Sequence, residues 1–175
     1  MRWTVPIMAV AAMAATPAAA QGVKLAPGEE VAFTLDGGAP RDPARASVTP
    51  TAFEDAVGRK YSGLTPPPAP VTEGVPIAND GSLPATPTPS PDMLRFRFMR
   101  VAGTSHSLLV IHNGYSRALV YRAGMSVQGK KSPTDVCLVM PAGLGIEHWP
   151  YAIDALELSG FALVSWKPED GVPCK

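Results

Sequence analysis

Three histidines, two cysteines and a scatter of carboxylates are the groups in this 175-residue sequence that could hold a metal or run acid–base chemistry. His106 and His112 fall on what reads as one strand. At about 3.3 Å per residue they stand about 20 Å apart, too far to share an ion. His112 could meet His148 only through tertiary folding. No His-x-His, His-Glu-x-x-His or paired Cys-x-x-Cys spacing occurs, so neither a metal nor any other cofactor is expected. A blue-copper arrangement needs a histidine and then a methionine shortly after the cysteine; Cys137 is followed by Met140, but the next histidine is His148.

Hydrolytic chemistry has equally little to start from. Ser107 or Ser132, a histidine and Asp135 can be grouped on paper, yet there is no Gly-x-Ser-x-Gly elbow. Glycoside cleavage needs two carboxylates facing across a cleft. Glu147, Asp154 and Glu157 could supply them, but they read equally well as solvent-facing strand charges. Phosphate-cradling glycine loops are absent. No catalytic residue is assigned.

One segment does concentrate recognition chemistry. Residues 143–151 read as a loop between strands and carry Glu147, His148, Trp149 and Tyr151. Aromatic and charged side chains on loops of a rigid scaffold are common binding surfaces, and Trp and Tyr are typical anchors. These four are the binding candidates. The competing reading makes Trp149 a plug in the end of the core, with Pro150 fixing the turn.

The elements that must position such residues are strands. Glu30 to Leu35 alternates polar with apolar; Leu94, Phe96 and Phe98 alternate with Arg95, Arg97 and Met99; residues 107–112 are apolar and β-branched. Asn113-Gly114 then predicts a hairpin returning through Ala118 to Arg122. A strand is expected from Thr134 to Met140, and Ser159-Gly160 predicts a second tight hairpin between residues 153–158 and 161–166. Thr51 and Glu54 have capping-box spacing, with Phe53, Val57 and Tyr61 on one face of a short helix. Many short strands and no long helix give an all-β class, an antiparallel β-sandwich with one short helix. An immunoglobulin-like version stays open, although its bridge would join two core strands around a Trp.

Residues 1–20 read as a cleaved signal peptide. Arg2 precedes an uncharged apolar run from Val5 to Ala15, and Ala18-Ala19-Ala20 forms a small-residue cleavage site before Gln21. The run is too short to span a bilayer, which needs about 20 residues. A periplasmic or secreted chain is expected. Cys137 and Cys174 then pair as one disulfide, contributing about 3–4 kcal/mol in the chain-entropy model. Residues 21–61 supply a strand and the helix and are expected to be part of the same β domain. Residues 62–92 carry nine of the 20 prolines and read as an extended proline-rich linker or insertion; residues 93–175 hold the sandwich.

Net charge is zero, which gives no case for nucleic acid or membrane attraction. Seven basic residues nevertheless lie between Met93 and Thr134 without one acid: Arg95, Arg97, Arg100, Arg117, Arg122, Lys130 and Lys131. They form either a basic face for an anionic envelope component or strands whose charge is cancelled by acidic neighbours. The expectation is an exported, non-catalytic module that binds an envelope protein or glycan. The alternative is a small hydrolase built around His148 and Glu147.

Overall fold

Strand alternation turns into two facing apolar surfaces. A computed structural model describes residues 22–64 and 83–175; the expected signal peptide and most of the proline-rich segment lie outside the described residues. One sheet has five strands in the order β3 (Ala39–Ser47), β2 (Glu29–Asp36), β4 (Leu94–Arg100), β5 (Ser107–Asn113) and β8 (Gly143–Trp149). The other has four, in the order β1 (Val23–Leu25), β9 (Ala155–Val164), β6 (Ala118–Val127) and β7 (Lys130–Thr134). Every pairing is antiparallel.

Phe33, Phe96, Phe98, Leu109 and Ile111 of the first sheet meet Leu25, Leu119, Tyr121, Leu156, Leu158 and Phe161 of the second in one buried core. Phe33 stacks on Phe96 at 5.7 Å, and Phe161 packs edge-on against Phe33 at 5.2 Å. This is the expected antiparallel β-sandwich. Residues before the proline-rich segment belong to it: β2 pairs with β4, and β1 pairs with β9.

The helix α1 (Ala52–Tyr61) lies on the outer face of the five-stranded sheet. Its capping box forms as the sequence predicts, with Thr51 accepting from the Glu54 amide at 3.2 Å and Glu54 accepting from the Thr51 amide at 2.7 Å. Phe53 and Val57 pack with Met99, Val101, Leu108 and Val110 in a second cluster. Met99, expected on the polar side of its strand, is buried there. Tyr61, expected on the same face, is instead 55% exposed.

Four expectations are corrected. Asn113-Gly114 is not a hairpin: β5 and β6 belong to different sheets, so the dipeptide carries the chain across the core. The Asn113 amide holds the crossing by donating to the Arg117 carbonyl at 2.8 Å and the Met140 carbonyl at 2.9 Å, while its oxygen accepts from the Tyr115 amide. Ser159-Gly160 is not a turn either, since β9 runs through it. Gly160, at φ +63°, absorbs a register slip against β6 between Val120 and Arg122, which is a β-bulge.

The strand expected at Thr134–Met140 is displaced. The chain reverses earlier, at Gln128-Gly129, and the polar edge strand β7 occupies that place. Residues 135–142 keep only single bridges, Leu119 to Val139 and Cys137 to Cys174. Finally, the loop expected at 143–151 is strand β8 as far as Trp149. Strands β3 and β7 escape hydrophobic periodicity because both are exposed edges containing proline, which only an edge tolerates.

Cys137 and Cys174 form the disulfide, spanning 37 positions. It ties the C-terminal residues to the 136–138 segment rather than joining the two sheets. Reciprocal hydrogen bonds between Val136 and Lys175 flank it at 2.9–3.0 Å.

Candidate functional site

Because 147–149 is a strand, successive side chains point to opposite sides, and the four binding candidates are separated. Trp149 goes into the sandwich, 6% exposed, with its indole N–H donating to Thr134 Oγ1 at 2.9 Å. It is a core plug pinned by one hydrogen bond. Glu147 shares that side and accepts from the Cys137 amide at 2.7 Å and from the Tyr121 hydroxyl at 3.4 Å. His148 faces the outer, helix side, where its Nε2 lies 3.0 Å from His106 Nδ1 and the Tyr61 ring is 5.8 Å away. Tyr151, beyond the strand, is exposed, and its hydroxyl reaches Met125 Sδ at 3.5 Å. Glu147 and His148 do not converge on a common point.

Burial pushes the Glu147 carboxyl above its ordinary value of 4.5, against the opposing effect of its two hydrogen bonds. The same burial, with Glu147 beside it, pushes the Tyr121 phenol well up. A carboxyl raised in the folded state costs stability when ionised, and the cost fades as pH falls through the folded value towards 4.5. Glu147→Gln keeps an acceptor for both donors and removes the charge. It should therefore raise the melting temperature at pH 7–8, with a gain that shrinks towards pH 4.5. Melts across that range check it, and a variant less stable than wild type at pH 8 would mean the charge itself is needed. On the outer face, burial and the neighbouring His106 lower the His148 pKa, while burial and then Arg95 lower that of His112.

Much of the basic run is neutralised at once. Arg97 is held by Glu54 and Glu30, Arg95 lies 3.6 Å from Glu30, and Arg100 lies 3.6 Å from Asp154. The Arg97 charge is opposed by burial, yet the two carboxylates outweigh that and hold its pKa above the ordinary value. On this sheet the cancelling-strand reading is the correct one.

The outer face of the four-stranded sheet differs. Alternation along β6 turns Leu119, Tyr121 and Ala123 inward and Arg122, Gly124 and Ser126 outward. Lys24 of β1, Glu157 of β9 and Lys131 of β7 join them on that face. The small residues leave a groove of about 430 Å³ walled by Lys24, Arg122, Lys131 and Glu157. A second groove, about 410 Å³, runs on from Arg122 past Leu138, Gly160 and Pro173 to Lys175. Lys131 binds Glu157 at 2.7 Å, and this contact, aided by Lys24, lowers the Glu157 pKa. Among the described residues Lys24 and Arg122 make no ion pair. The outer face of the other sheet carries α1, and a smaller pocket of about 290 Å³ lies between its first turn, Pro84, Pro87 and the side chains of Arg95, Arg97 and His112.

Sequence reasoning placed Arg122 in the basic run but did not find this face. The missing signal was small: alternation of Arg122, Gly124 and Ser126 against an apolar partner row, which becomes a groove only once β9 lies alongside. Comparison of the chain with protein-family models, with curated proteins and with solved structures finds no match. Among the described residues no helix is long and apolar enough to cross a membrane.

Proposed function

We propose that this protein is an exported, non-catalytic β-sandwich that binds a linear, anionic glycan of the cell envelope along the outer face of its four-stranded sheet. The observation that carries this reading is the asymmetry between the two outer faces. One is covered by α1 and has its arginines neutralised. The other presents two grooves meeting at Arg122, floored by small side chains, with three cations against one acid on the walls of the first. A shallow, elongated, basic groove suits an extended polyanion held by charge and hydrogen bonds. Export is supported by the signal-peptide pattern of residues 1–20 and by the Cys137–Cys174 bridge, which persists in an oxidising compartment.

Catalysis gains nothing from the geometry, since the acid and base proposed for a hydrolase, Glu147 and His148, face opposite sides of one strand. The test is calorimetric titration of the full mature chain with polygalacturonate oligosaccharides at low salt. Binding should weaken as salt rises, and Arg122→Glu should reduce affinity about tenfold, the size of a charge reversal worth about 1.4 kcal/mol. No binding at low salt, or undiminished binding by Arg122→Glu, would remove this reading.

A further inference from the structure

On the opposite side of the molecule, we propose that His106 and His148 form a two-imidazole site for a copper(II) ion. The register of β5 against β8 sets His148 directly across from Leu108. His106, two residues before Leu108, shares that outer face as the diagonal neighbour of His148, close enough for long side chains to meet. Their nitrogens, Nδ1 of His106 and Nε2 of His148, are 3.0 Å apart, and the ring centroids 5.0 Å.

The two nitrogens are in hydrogen-bond contact, which a bound ion would replace, and their separation favours one coordination geometry. An ion about 2.05 Å from each imidazole nitrogen would see them at an angle of about 94° across a 3.0 Å chord. Tetrahedral coordination at the same bond length would need them about 3.3 Å apart. An angle near a right angle belongs to square-planar or tetragonal nitrogen and oxygen sites, which are those of copper(II) and nickel(II), and the stability order of divalent ions puts copper first. Both rings are part-exposed, so a hydrated ion can reach them and keep water on its remaining positions.

The backbones carrying the two ligands are already fixed. β8 is hydrogen-bonded along its length to β5. The His106 carbonyl accepts from the Val101 amide at 3.0 Å and its amide donates to Thr104 Oγ1 at 3.0 Å, closing the 101–106 loop. Little ordering remains to oppose binding. Tyr61, at the end of α1, stands beside the His148 ring and bounds the site on that side.

The test is titration of copper(II) into the untagged, metal-free mature chain, followed by electron paramagnetic resonance. One copper per chain, with a tetragonal spectrum showing two imidazole nitrogens, is expected. His106→Gln and His148→Gln should each weaken binding by about tenfold or more, at least the loss seen when ligand-supporting groups are removed. His112→Gln should bind as wild type does. Melting curves without metal establish that the variants fold; if one does not, the nitrogen count in the wild-type spectrum decides. Absence of stoichiometric binding would leave only a His–His hydrogen bond. Copper held equally by the variants would place the ion elsewhere on the chain, and tighter binding of zinc would contradict the geometry; each overturns the proposal. The groove around Arg122 lies on the other sheet, so either reading can fail without the other.

Discussion

Arg97→Ala should cost the fold about 3–5 kcal/mol, the loss expected when one member of a buried ion pair is removed and its partner stays behind. The Arg97 side chain is 12% exposed and that of Glu54 2%, so neither can turn to bulk water. Arg97 also donates to the Thr49 carbonyl at 3.0 Å, joining β4 to the segment that leads into α1. Truncation therefore strands the Glu54 carboxylate, leaves Glu30 with Arg95 alone at 3.6 Å, and loosens the seat of the helix. Urea unfolding measures the loss directly; in a chain of this length it should lower the melting temperature by roughly 10 °C or more. Replacing both partners, Arg97→Met with Glu54→Gln, should cost clearly less than the two single changes added together, because no uncompensated charge is left. Additive losses, or a single-variant loss below about 1 kcal/mol, would show that the network is solvated in solution.

Gly114→Ala should be as damaging for a different reason. A Cβ at residue 114 would stand 1.7 Å from the Ser90 carbonyl oxygen and 2.9 Å from that of Met93, both rigid backbone. Relief requires the 90–93 turn to move away. That breaks the hydrogen bonds from the Gly114 amide to Met93 and from the Asp92 amide to Gly114, 2.9 and 3.0 Å long. Overpacking and two lost bonds together predict about 3–4 kcal/mol. Gly103→Ala is the matched control. Gly103 has φ +75° but open space around it, so alanine there should cost only about 1 kcal/mol. Equal losses at the two positions would mean that close approach plays no part at residue 114.

The same dipeptide shows where the sequence could be read and where it could not. Asn113-Gly114 was legible as a change of direction, but local chemistry does not say whether the next strand returns to the same sheet. The choice is made by Ser90 and Met93, more than twenty positions away, and by the Met140 carbonyl that Asn113 holds. Alternation in Glu30–Leu35 and Leu94–Phe98 was legible because the core faces of β2 and β4 are apolar and their other faces charged. Residues 39–47 and 130–134 gave no such signal, since an exposed edge buries neither side. The site suffered from the same limit. Glu147, His148, Trp149 and Tyr151 look like one recognition loop in sequence, yet a two-residue strand period sends them to opposite sides. His106 and His148 could be brought together only by the register of β5 on β8.

The order of strands in the four-stranded sheet sets the timing of folding as well as its result. β9, the last strand, lies between β1 and β6, and β1 has no other partner in its sheet. A chain emerging N-terminus first can close the β2–β3 hairpin and add β4 and β5 early, but its first strand must wait for its last. Sequence-distant pairing of this kind slows folding. Until β9 arrives, the inner face of the five-stranded sheet, with Phe33, Phe96 and Phe98, has only part of its cover. That interval is when a newly made chain would be most exposed to aggregation or to proteases, and when a chaperone would find apolar surface to hold.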